Sequence, residues 1–306
     1  MRNIFAATLV KEAQKNNRIF LLTGDLGFTV FEEFQSRFPQ RFLNVGVAEA
    51  NMVGVASGLA NAGFIPIAYS IATFISMRAF EQIRNDISLA GKNVKIVGVG
   101  AGLSYSHAGP THHAMEDIAL MRTLPGITIY SPSDPISTAW TTQSMLQIKN
   151  HSYLRLGKRG EPTIYTSKTH FEIGKGQIIM EGKHCTFLTT GPILYNVIKA
   201  AEKLKKRGIS CRIIDLVTIK PIDESIICSS AKKTKYIFTV EEHSLIGGLG
   251  SIVAEVLAEK ASFPFQLTRI GLPDKFCTVI GDHAYLRQHF YLSTDAIVKR
   301  VLQTIA

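Results

Sequence analysis

The stretch FLNVGVAEANMVGVASGLANAGFIP, residues 42–66, decides the fold class of the first half of the chain. A strand-like run from Phe42 to Val47 leads straight into a helix of mainly Ala, Gly, Val and Met, in which Glu49 is the one charged residue. In open parallel sheets, ligands bind at such strand-to-helix turns. A lone carboxylate there is a candidate functional group, and the alternative is an exposed glutamate that only complements the helix dipole.

Strand-like and helical patterns alternate along the whole chain. In the first half, further apolar runs lie between amphipathic or small-residue stretches, at Ile19–Leu22, Ile65–Ala68, Val94–Val99 and Ile127–Ser131. A second set begins near residue 184, with the runs CTFLTT, SCRIIDLV, KYIFTVEEH and FQLTRIGL separated by helical patterns. This alternation predicts an α/β fold in which each half is a mainly parallel sheet wrapped by helices.

The chain is long enough for two domains. Its 306 residues, of which 46% are hydrophobic, can bury two separate cores. Residues 157–182 are rich in Gly, Lys and Thr and have no helical periodicity, which predicts an exposed crossing segment. We place the boundary near residue 168, with one domain at 1–168 and the other at 169–306.

The composition argues against several classes of function. The net charge of +10 is densest in Lys203–Arg207 and Lys232–Lys235, which have no interleaved aromatics, so we expect solvated surfaces and no nucleic-acid site. No apolar run is long enough to cross a membrane, and the N-terminus lacks a signal-peptide pattern, so we expect a cytoplasmic protein. The four cysteines include no C-x-x-C pair, which favours buried reduced thiols.

A second cluster of candidate residues follows the strand-like run VKIVGVG. The stretch AGLSYSHAGPTHHAMEDIALMRTLPGITIYSPSDP, residues 101–135, places Gly109–His112 in a loop after that strand, a position that often carries a site. His112, His113 and Glu116 could be metal ligands, but one helical turn offers too few convergent groups for a closed metal site. We therefore predict no metal site in this chain and interpret His113, Glu116 and Asp117 as residues of a helix start.

Several motifs together identify a family. They are NVGVAE at Asn44–Glu49, RAFEQIR at Arg78–Arg84, GPTH at Gly109–His112, EDIA at Glu116–Ala119, YLRLG at Tyr153–Gly157, EEH at Glu241–His243 and GGLG at Gly247–Gly250. The chain resembles the C-terminal half of transketolases, in particular the separately encoded C-terminal subunit of split transketolases. The resemblance spans the whole chain and implies a pyrimidine-binding domain followed by a transketolase C-terminal domain.

This resemblance implies an enzyme that uses thiamine diphosphate. It assigns to Glu49 the carboxyl that hydrogen-bonds a pyrimidine nitrogen and activates the cofactor, and to Phe74 the ring that stacks on the aminopyrimidine. An ordinary core phenylalanine is the alternative for Phe74. Met77 or Arg78 would border the pyrimidine, and Asp25 would lie near the thiazolium side. His112 would face the reacting carbonyl, where it could hydrogen-bond or move protons.

The resemblance also implies a reaction and a substrate class. A two-carbon ketol unit would pass from a ketose, or ketose phosphate, to an aldose or aldose phosphate. For the substrate phosphate it points to Arg2, Thr29 and Arg155, since guanidinium forks and hydroxyls suit phosphate oxygens. A disordered terminus is the alternative for Arg2.

Two positions depart from the family pattern. Gly100 stands where transketolases carry a histidine, and Ala108 stands where they carry an aspartate. His107 replaces an acid before Ala108 and is our further candidate for a substrate contact. Because the lost groups normally touch the sugar, the cofactor chemistry is implied more firmly than the substrate.

The diphosphate half of such enzymes is missing from this chain. Its signature is Gly-Asp-Gly followed by an Asn that completes a magnesium site, and Gly24-Asp25-Leu26 lacks the second glycine. We therefore expect an N-terminal, diphosphate-binding partner subunit that holds Mg²⁺. The active site would lie at the interface, in a two-plus-two heterotetramer.

Three other functions stay open at this point. The beta subunit of a 2-oxo acid dehydrogenase's thiamine component has a similar pair of domains, and a synthase resembling 1-deoxyxylulose-5-phosphate synthase shares the GPTH loop. A non-catalytic regulatory or anion-binding module could keep the same fold. Retention of Glu49, Phe74 and His112 argues against the last of these.

Overall fold

The apolar runs form strands close to where the sequence predicts them. The computed structural model describes residues 1–305, and its first strands are β1 (Ile19–Thr23), β2 (Phe42–Asn44), β3 (Ile65–Ile71), β4 (Lys95–Val99), β5 (Thr128–Tyr130) and β6 (Ser152–Leu156). The strands that follow are β7 (Gln177–Met180), β8 (Cys185–Thr189), β9 (Cys211–Asp215), β10 (Thr218–Lys220), β11 (Tyr236–Ser244) and β12 (Gln266–Leu272).

The stretches between the strands form helices. They are α1 (Arg2–Lys15), α2 (Glu32–Arg37), α3 (Glu49–Asn61), α4 (Phe80–Gln82), α5 (Asp117–Arg122), α6 (Pro135–Gln147), α7 (Leu194–Lys205), α8 (Glu224–Thr234), α9 (Leu249–Lys260), α10 (His283–His289) and α11 (Thr294–Ile305). The short α4 lies between two π-helical segments, Phe74–Arg78 and Ile83–Leu89. Such π-helical turns are rare and often occur at functional sites.

Two sheets organise the molecule. The first has the strand order β10-β5-β6-β4-β3-β1-β2 and is parallel except for β10. The second has the order β12-β11-β8-β9-β7 and is parallel except for β7. The prediction of two mainly parallel sheets wrapped by helices is confirmed.

One strand crosses between the domains. β10 follows β9 of the second sheet, yet it pairs antiparallel with β5 of the first, with Thr218 opposite Tyr130. Lys220 fixes the crossing, since its ammonium donates to the carbonyls of Arg122 and Leu124 at 2.8 and 2.6 Å. The predicted boundary at residue 168 lies between β6 and β7, and this later crossing was not predicted.

The segment 157–182 differs from its prediction as an exposed crossing. Tyr165 and Phe171 are buried there, and the Phe171 ring stacks on Trp140 at 5.1 Å between centroids. The Tyr165 hydroxyl also donates to buried Asp215 at 2.7 Å. The aromatic residues inside the Gly- and Lys-rich segment therefore seal the junction between the domains.

Within residues 1–305, every helix is too short or too polar to cross a membrane. The four cysteines are free thiols, and Cys185, Cys211 and Cys277 are buried.

Candidate active site

Four of the candidate site residues lie at the carboxyl ends of four strands that are adjacent in the sheet, in the order β4-β3-β1-β2. Asp25 follows β1, Glu49 begins the helix after β2, Phe74 follows β3 and His112 lies in the loop after β4. Ligands of open α/β sheets bind outside this edge, because the loops there converge. The sheet therefore brings together residues that are far apart in the sequence.

Glu49 is the buried carboxylate at the centre of this edge. It begins α3 and its side chain is only 1% exposed. The Ser70 hydroxyl donates to Oε1 at 2.8 Å, and Nη1 of Arg78 donates to Oε2 at 3.2 Å. Both carboxylate oxygens thus have partners, and the setting is more polar than the apolar helix sequence indicated. A glutamate that only complemented the helix dipole would be exposed, so this burial favours the functional interpretation.

Phe74 and Arg78 stand at the two ends of the π-helical segment that follows β3. The Arg78 side chain is 48% exposed and its guanidinium lies over the Phe74 ring, 4.0 Å from the centroid. One planar cation therefore donates to Glu49 and covers an aromatic face. These are the two contacts that the family resemblance assigns to an aminopyrimidine, so the space between Glu49 and Phe74 fits a planar, hydrogen-bonding ring. Arg78 would have to move when such a ring entered.

His112 lies on the other side of Phe74. The two rings meet edge-on, with centroids 5.0 Å apart, and His112 Nδ1 is 2.9 Å from the Thr111 hydroxyl. Burial lowers the pKa of His112, and the nearby His113, Arg78 and Lys158 lower it further. The imidazole is therefore neutral at neutral pH and can either accept or donate a proton.

Tyr105 and Lys158 lie at the mouth of the site and were not predicted from the sequence. Tyr105 lies 5.7 Å from His112 between ring centroids, and the ammonium of Lys158 lies 4.5 Å above the Tyr105 ring. Burial lowers the pKa of Lys158, and the charges of Arg159 and Arg2 add to this effect. Arg2, predicted to bind phosphate, thus belongs to a cationic cluster with Lys158 and Arg159. The sequence does contain a signal for these cations, because Lys158 and Arg159 form a basic pair in GKRG directly after β6.

Arg155, one of the predicted phosphate ligands, is buried. Its side chain is 2% exposed, and its Nε donates to Asp117 at 2.8 Å. Its Nη2 donates to the carbonyls of Ala114 and Glu242 at 2.9 and 3.0 Å. Nε and Nη2 of this guanidinium are therefore engaged inside the protein, which favours a structural role for Arg155. Lys158, three residues later and next to the site, is the better candidate.

Asp117 and Arg155 form the centre of the contact between the domains. Burial alone would raise the pKa of Asp117, but the charge of Arg155 and hydrogen bonds from Arg155 and Tyr153 hold it below its ordinary value. Burial lowers the pKa of His243 to about 4, so this histidine is neutral and accepts from the Ala119 N–H at 3.4 Å. The predicted helix-start residue Asp117 is therefore half of a buried ion pair.

A residue of the second domain, Glu242, contacts the loop of the first domain that carries His112. Glu242 is buried and accepts hydrogen bonds from the Leu103 N–H, His283 and Arg287 at 2.7, 2.7 and 2.6 Å. A Cβ at Gly102 would overlap Glu242, so this close approach requires glycine. This contact gives the second domain a role in positioning the loop between β4 and α5.

The other predicted contacts are more exposed. The Asp25 N–H donates to the Asn44 side chain at 2.8 Å, which ties the loop after β1 to the end of β2. Thr29 and His107 are exposed, and within residues 1–305 their side chains make no hydrogen bond. They remain predictions as substrate contacts. Residues 1–305 contain no group of three or more His, Cys, Asp or Glu side chains that could hold a metal ion.

Comparison with known proteins agrees with this geometry. Residues 1–161 match the family model of the transketolase pyrimidine-binding domain, and residues 174–297 match that of the transketolase C-terminal domain. A solved structure described as a split-gene transketolase, inactive beta4 tetramer, superimposes with a TM-score of 0.90 at 37% sequence identity. That match covers 99% of this chain and 97% of the other.

Two curated relatives extend over nearly the same length. The putative transketolase C-terminal section of Methanocaldococcus jannaschii is 40% identical over 99% of this chain and 95% of the relative. A 6-deoxy-6-sulfo-D-fructose transketolase subunit of Clostridium sp. (strain MSTE9) is 38% identical over 98% of this chain and 92% of the relative. The chain therefore belongs to the transketolase family, and it consists of that family's pyrimidine-binding domain followed by its C-terminal domain.

Proposed function

We propose that this chain is the pyrimidine-side subunit of a cytoplasmic split transketolase. With a separate diphosphate-binding subunit, it would transfer a two-carbon ketol unit from a ketose phosphate to an aldose phosphate. The observation that carries the proposal is the convergence of Glu49, Phe74 and His112 at one sheet edge. The Arg78 guanidinium contacts both Glu49 and Phe74 there. The free thiols suit a reducing compartment.

Glu49 is the group that would act on the cofactor. Thiamine diphosphate, when bound, supplies a nucleophilic carbon that can break the bond beside a ketose carbonyl. Glu49 would hold a proton at a pyrimidine ring nitrogen, with Ser70 fixing Oε1 so that Oε2, now paired with Arg78, faces the ring. Phe74 would present its face to the same ring once the Arg78 guanidinium moved aside.

His112 is the group that would act on the sugar. Its neutral imidazole lies against Phe74 and Tyr105, so it faces the space between the proposed cofactor ring and the cationic mouth of the site. A neutral imidazole can donate to a carbonyl oxygen and accept from a hydroxyl, which are the two proton-handling tasks of ketol transfer. Asp25, Thr29 and His107 are further proposed contacts on the loops at the same edge.

The proposed partner supplies what this chain lacks. The Gly24-Asp25-Leu26 sequence departs from the Gly-Asp-Gly signature of the diphosphate side, so we place Mg²⁺ and the diphosphate on the partner. The solved relative described as an inactive beta4 tetramer supports a subunit that self-associates but is not active without its partner. We propose a two-plus-two assembly on the same grounds.

Reconstitution tests this proposal. We expect the chain alone, given thiamine diphosphate and Mg²⁺, to transfer no ketol unit and to show weak cofactor binding by calorimetry. Addition of a diphosphate-domain subunit from the same organism should restore transfer between a ketose phosphate and an aldose phosphate. Tight, Mg²⁺-dependent cofactor binding by the chain alone would contradict the proposed division. Oxidative decarboxylation of a 2-oxo acid by the mixture would instead support the dehydrogenase alternative.

The pH profile tests the role of His112. We expect the acid limb of kcat/KM for an uncharged aldose to have its midpoint below the ordinary histidine value of 6.5, because burial and neighbouring charges lower the pKa of His112. Replacing Lys158 with Met removes one of these charges and should move the midpoint to higher pH. His112→Asn should lack this limb altogether. An identical limb in wild type and His112→Asn would exclude the histidine as its source.

A further inference from the structure

The second sheet ends in an open edge at β12. Within residues 1–305, β11 is the one strand that pairs with β12. The N–H of Gln266 and the carbonyl of Leu272 bond to the residues that flank β11, at 2.7 and 2.9 Å. Because successive residues of a strand bond to alternate sides, the N–H and C=O groups of Leu267, Arg269 and Gly271 face away from the sheet. Such an edge can accept a further strand.

A groove of about 880 Å³ lies against this edge. One side of it is formed by β12 at Arg269–Gly271, and the other by the exposed face of α11, with Asp295, Lys299 and Gln303. These three helix residues together span about 12 Å, at 1.5 Å per residue. An extended chain advances about 3.3 Å per residue, so the groove can take roughly four residues of a strand laid beside β12.

Positive charge lines the groove. Arg269, Lys275, Lys299 and Arg300 are exposed there, and the side chains of the last three form no hydrogen bond or ion pair within residues 1–305. Asp295 is the one acid in the lining, and it pairs with a lysine of α7 at 2.6 Å. Because the cations outnumber this paired acid, the groove attracts an acidic ligand and repels a basic one.

The same charges disfavour pairing between two copies of this chain. Two β12 edges brought together would place the cations of one groove against those of the other, and each chain carries a net charge of +10. Like charges across a strand pair are destabilising, and exposed cations commonly protect an edge from self-pairing. The edge of β12 is therefore suited to a strand of opposite charge.

Tyr291 adds an exposed aromatic ring to the groove lining. It is 77% exposed and has a φ of +60°. Its N–H donates to the Gln288 carbonyl at 3.2 Å, and the Leu292 N–H donates to the Arg287 carbonyl at 2.7 Å, a helix end at which glycine is usual. This tyrosine is thus held in a strained conformation with its ring in solvent, and a bound segment would cover the ring.

We propose that the groove between β12 and α11 is a docking site for an acidic, extended peptide segment of another protein. The segment adds as a strand to β12, so that its main chain bonds to Arg269 and Gly271 and gives affinity. Its Asp or Glu side chains meet Lys299 and Arg300 and give specificity. All of these residues belong to the second domain, so the site is independent of the proposed ketol transfer.

Calorimetry of the full chain with a short peptide of alternating Glu and Val, blocked at both ends, tests the charge. We expect the peptide to bind, the same peptide with Lys in place of Glu not to bind, and Lys299→Glu to weaken the affinity about tenfold. Lys232→Glu is the matched control, because Lys232 is also an exposed helical lysine but lies on α8. Equal affinities of Lys299→Glu and the wild type, or equal losses in the two variants, would overturn the proposal.

Hydrogen exchange tests the strand addition. The bound peptide should protect the outward amides of Arg269 and Gly271 and leave that of Ile270, which faces β11, unchanged. A peptide with Pro in place of Val keeps the charges but lacks those main-chain donors, so we expect several-fold weaker binding. Peptide binding without protection of the two outward amides would refute strand addition.

Two other occupants of the groove are distinguished in the same way. A single-stranded oligonucleotide that binds through Lys299 while the acidic peptide does not would assign the groove to nucleic acid. A dimer of the chain that Lys299→Glu dissociates in sedimentation, with no binding of the peptide, would assign it to a second copy. Either result would overturn the proposal.

Discussion

Replacing Glu49 with Gln is expected to lower kcat of the assembled enzyme by about 10²- to 10⁴-fold, the range that a positioned acid–base group contributes. Gln keeps the size of the side chain and can still accept from Ser70, but it cannot hold and release a proton. The readout is the initial rate of ketol transfer at saturating cofactor, with a separate cofactor titration to show that the site is filled.

Glu224→Gln is the control for this substitution. Glu224 also stands in the first turn of a helix, α8, but it is exposed and pairs with Lys260 at the surface. Its loss should leave kcat unchanged, because an exposed helix-start acid affects stability only slightly. Full activity of Glu49→Gln with bound cofactor would refute the proposed mechanism.

Replacing Arg155 with Met is expected to lower the free energy of unfolding by about 3–5 kcal/mol, because it leaves the buried Asp117 carboxylate without its ionic partner. The carbonyls of Ala114 and Glu242 lose a donor in the same step. Chemical denaturation of the full chain at neutral pH measures the effect. A substrate-binding arginine would instead change KM and leave stability nearly intact.

Arg122→Met provides the comparison. Arg122 pairs with the exposed Glu255, and such pairs contribute about 0–1 kcal/mol. The pH dependence gives a second readout, because Asp117 has a pKa below its ordinary value of 3.8 when folded. Its stabilising contribution is present above that value and is lost as the pH falls below it. A loss below about 1 kcal/mol in Arg155→Met would refute the structural role.

Nine of the twelve strands could be predicted from the sequence because each is a short apolar run between helices, and the exceptions are β6, β7 and β10. β10 could not, since Thr218–Lys220 has three residues and its partner β5 lies some ninety positions earlier. The buried state of Tyr165 and Phe171 was missed for a similar reason. They lie in a segment rich in Gly, Lys and Thr, and its average composition hides two buried aromatic residues, of which Phe171 packs against Trp140 of the distant helix α6.

In the candidate site, motifs located Glu49, Phe74 and His112, and the sheet edge brings them together. The burial of Arg155 was not predicted, because a sequence does not tell a buried arginine from an exposed one and its partner Asp117 is 38 positions away. Tyr105 was missed because its position beside His112 depends on its ring filling the space next to Gly100. That relation exists only in the folded chain.

The crossing strand β10 limits how the chain can be divided. A cut near residue 168 would remove the edge strand of the first sheet and leave β5 without its outer neighbour. An uncovered strand edge is a template for pairing with other chains, and the separated β10 would be another. Each half produced alone would therefore be prone to aggregate, so the two domains, although distinct in sequence, form one unit for expression, fragment design and domain exchange.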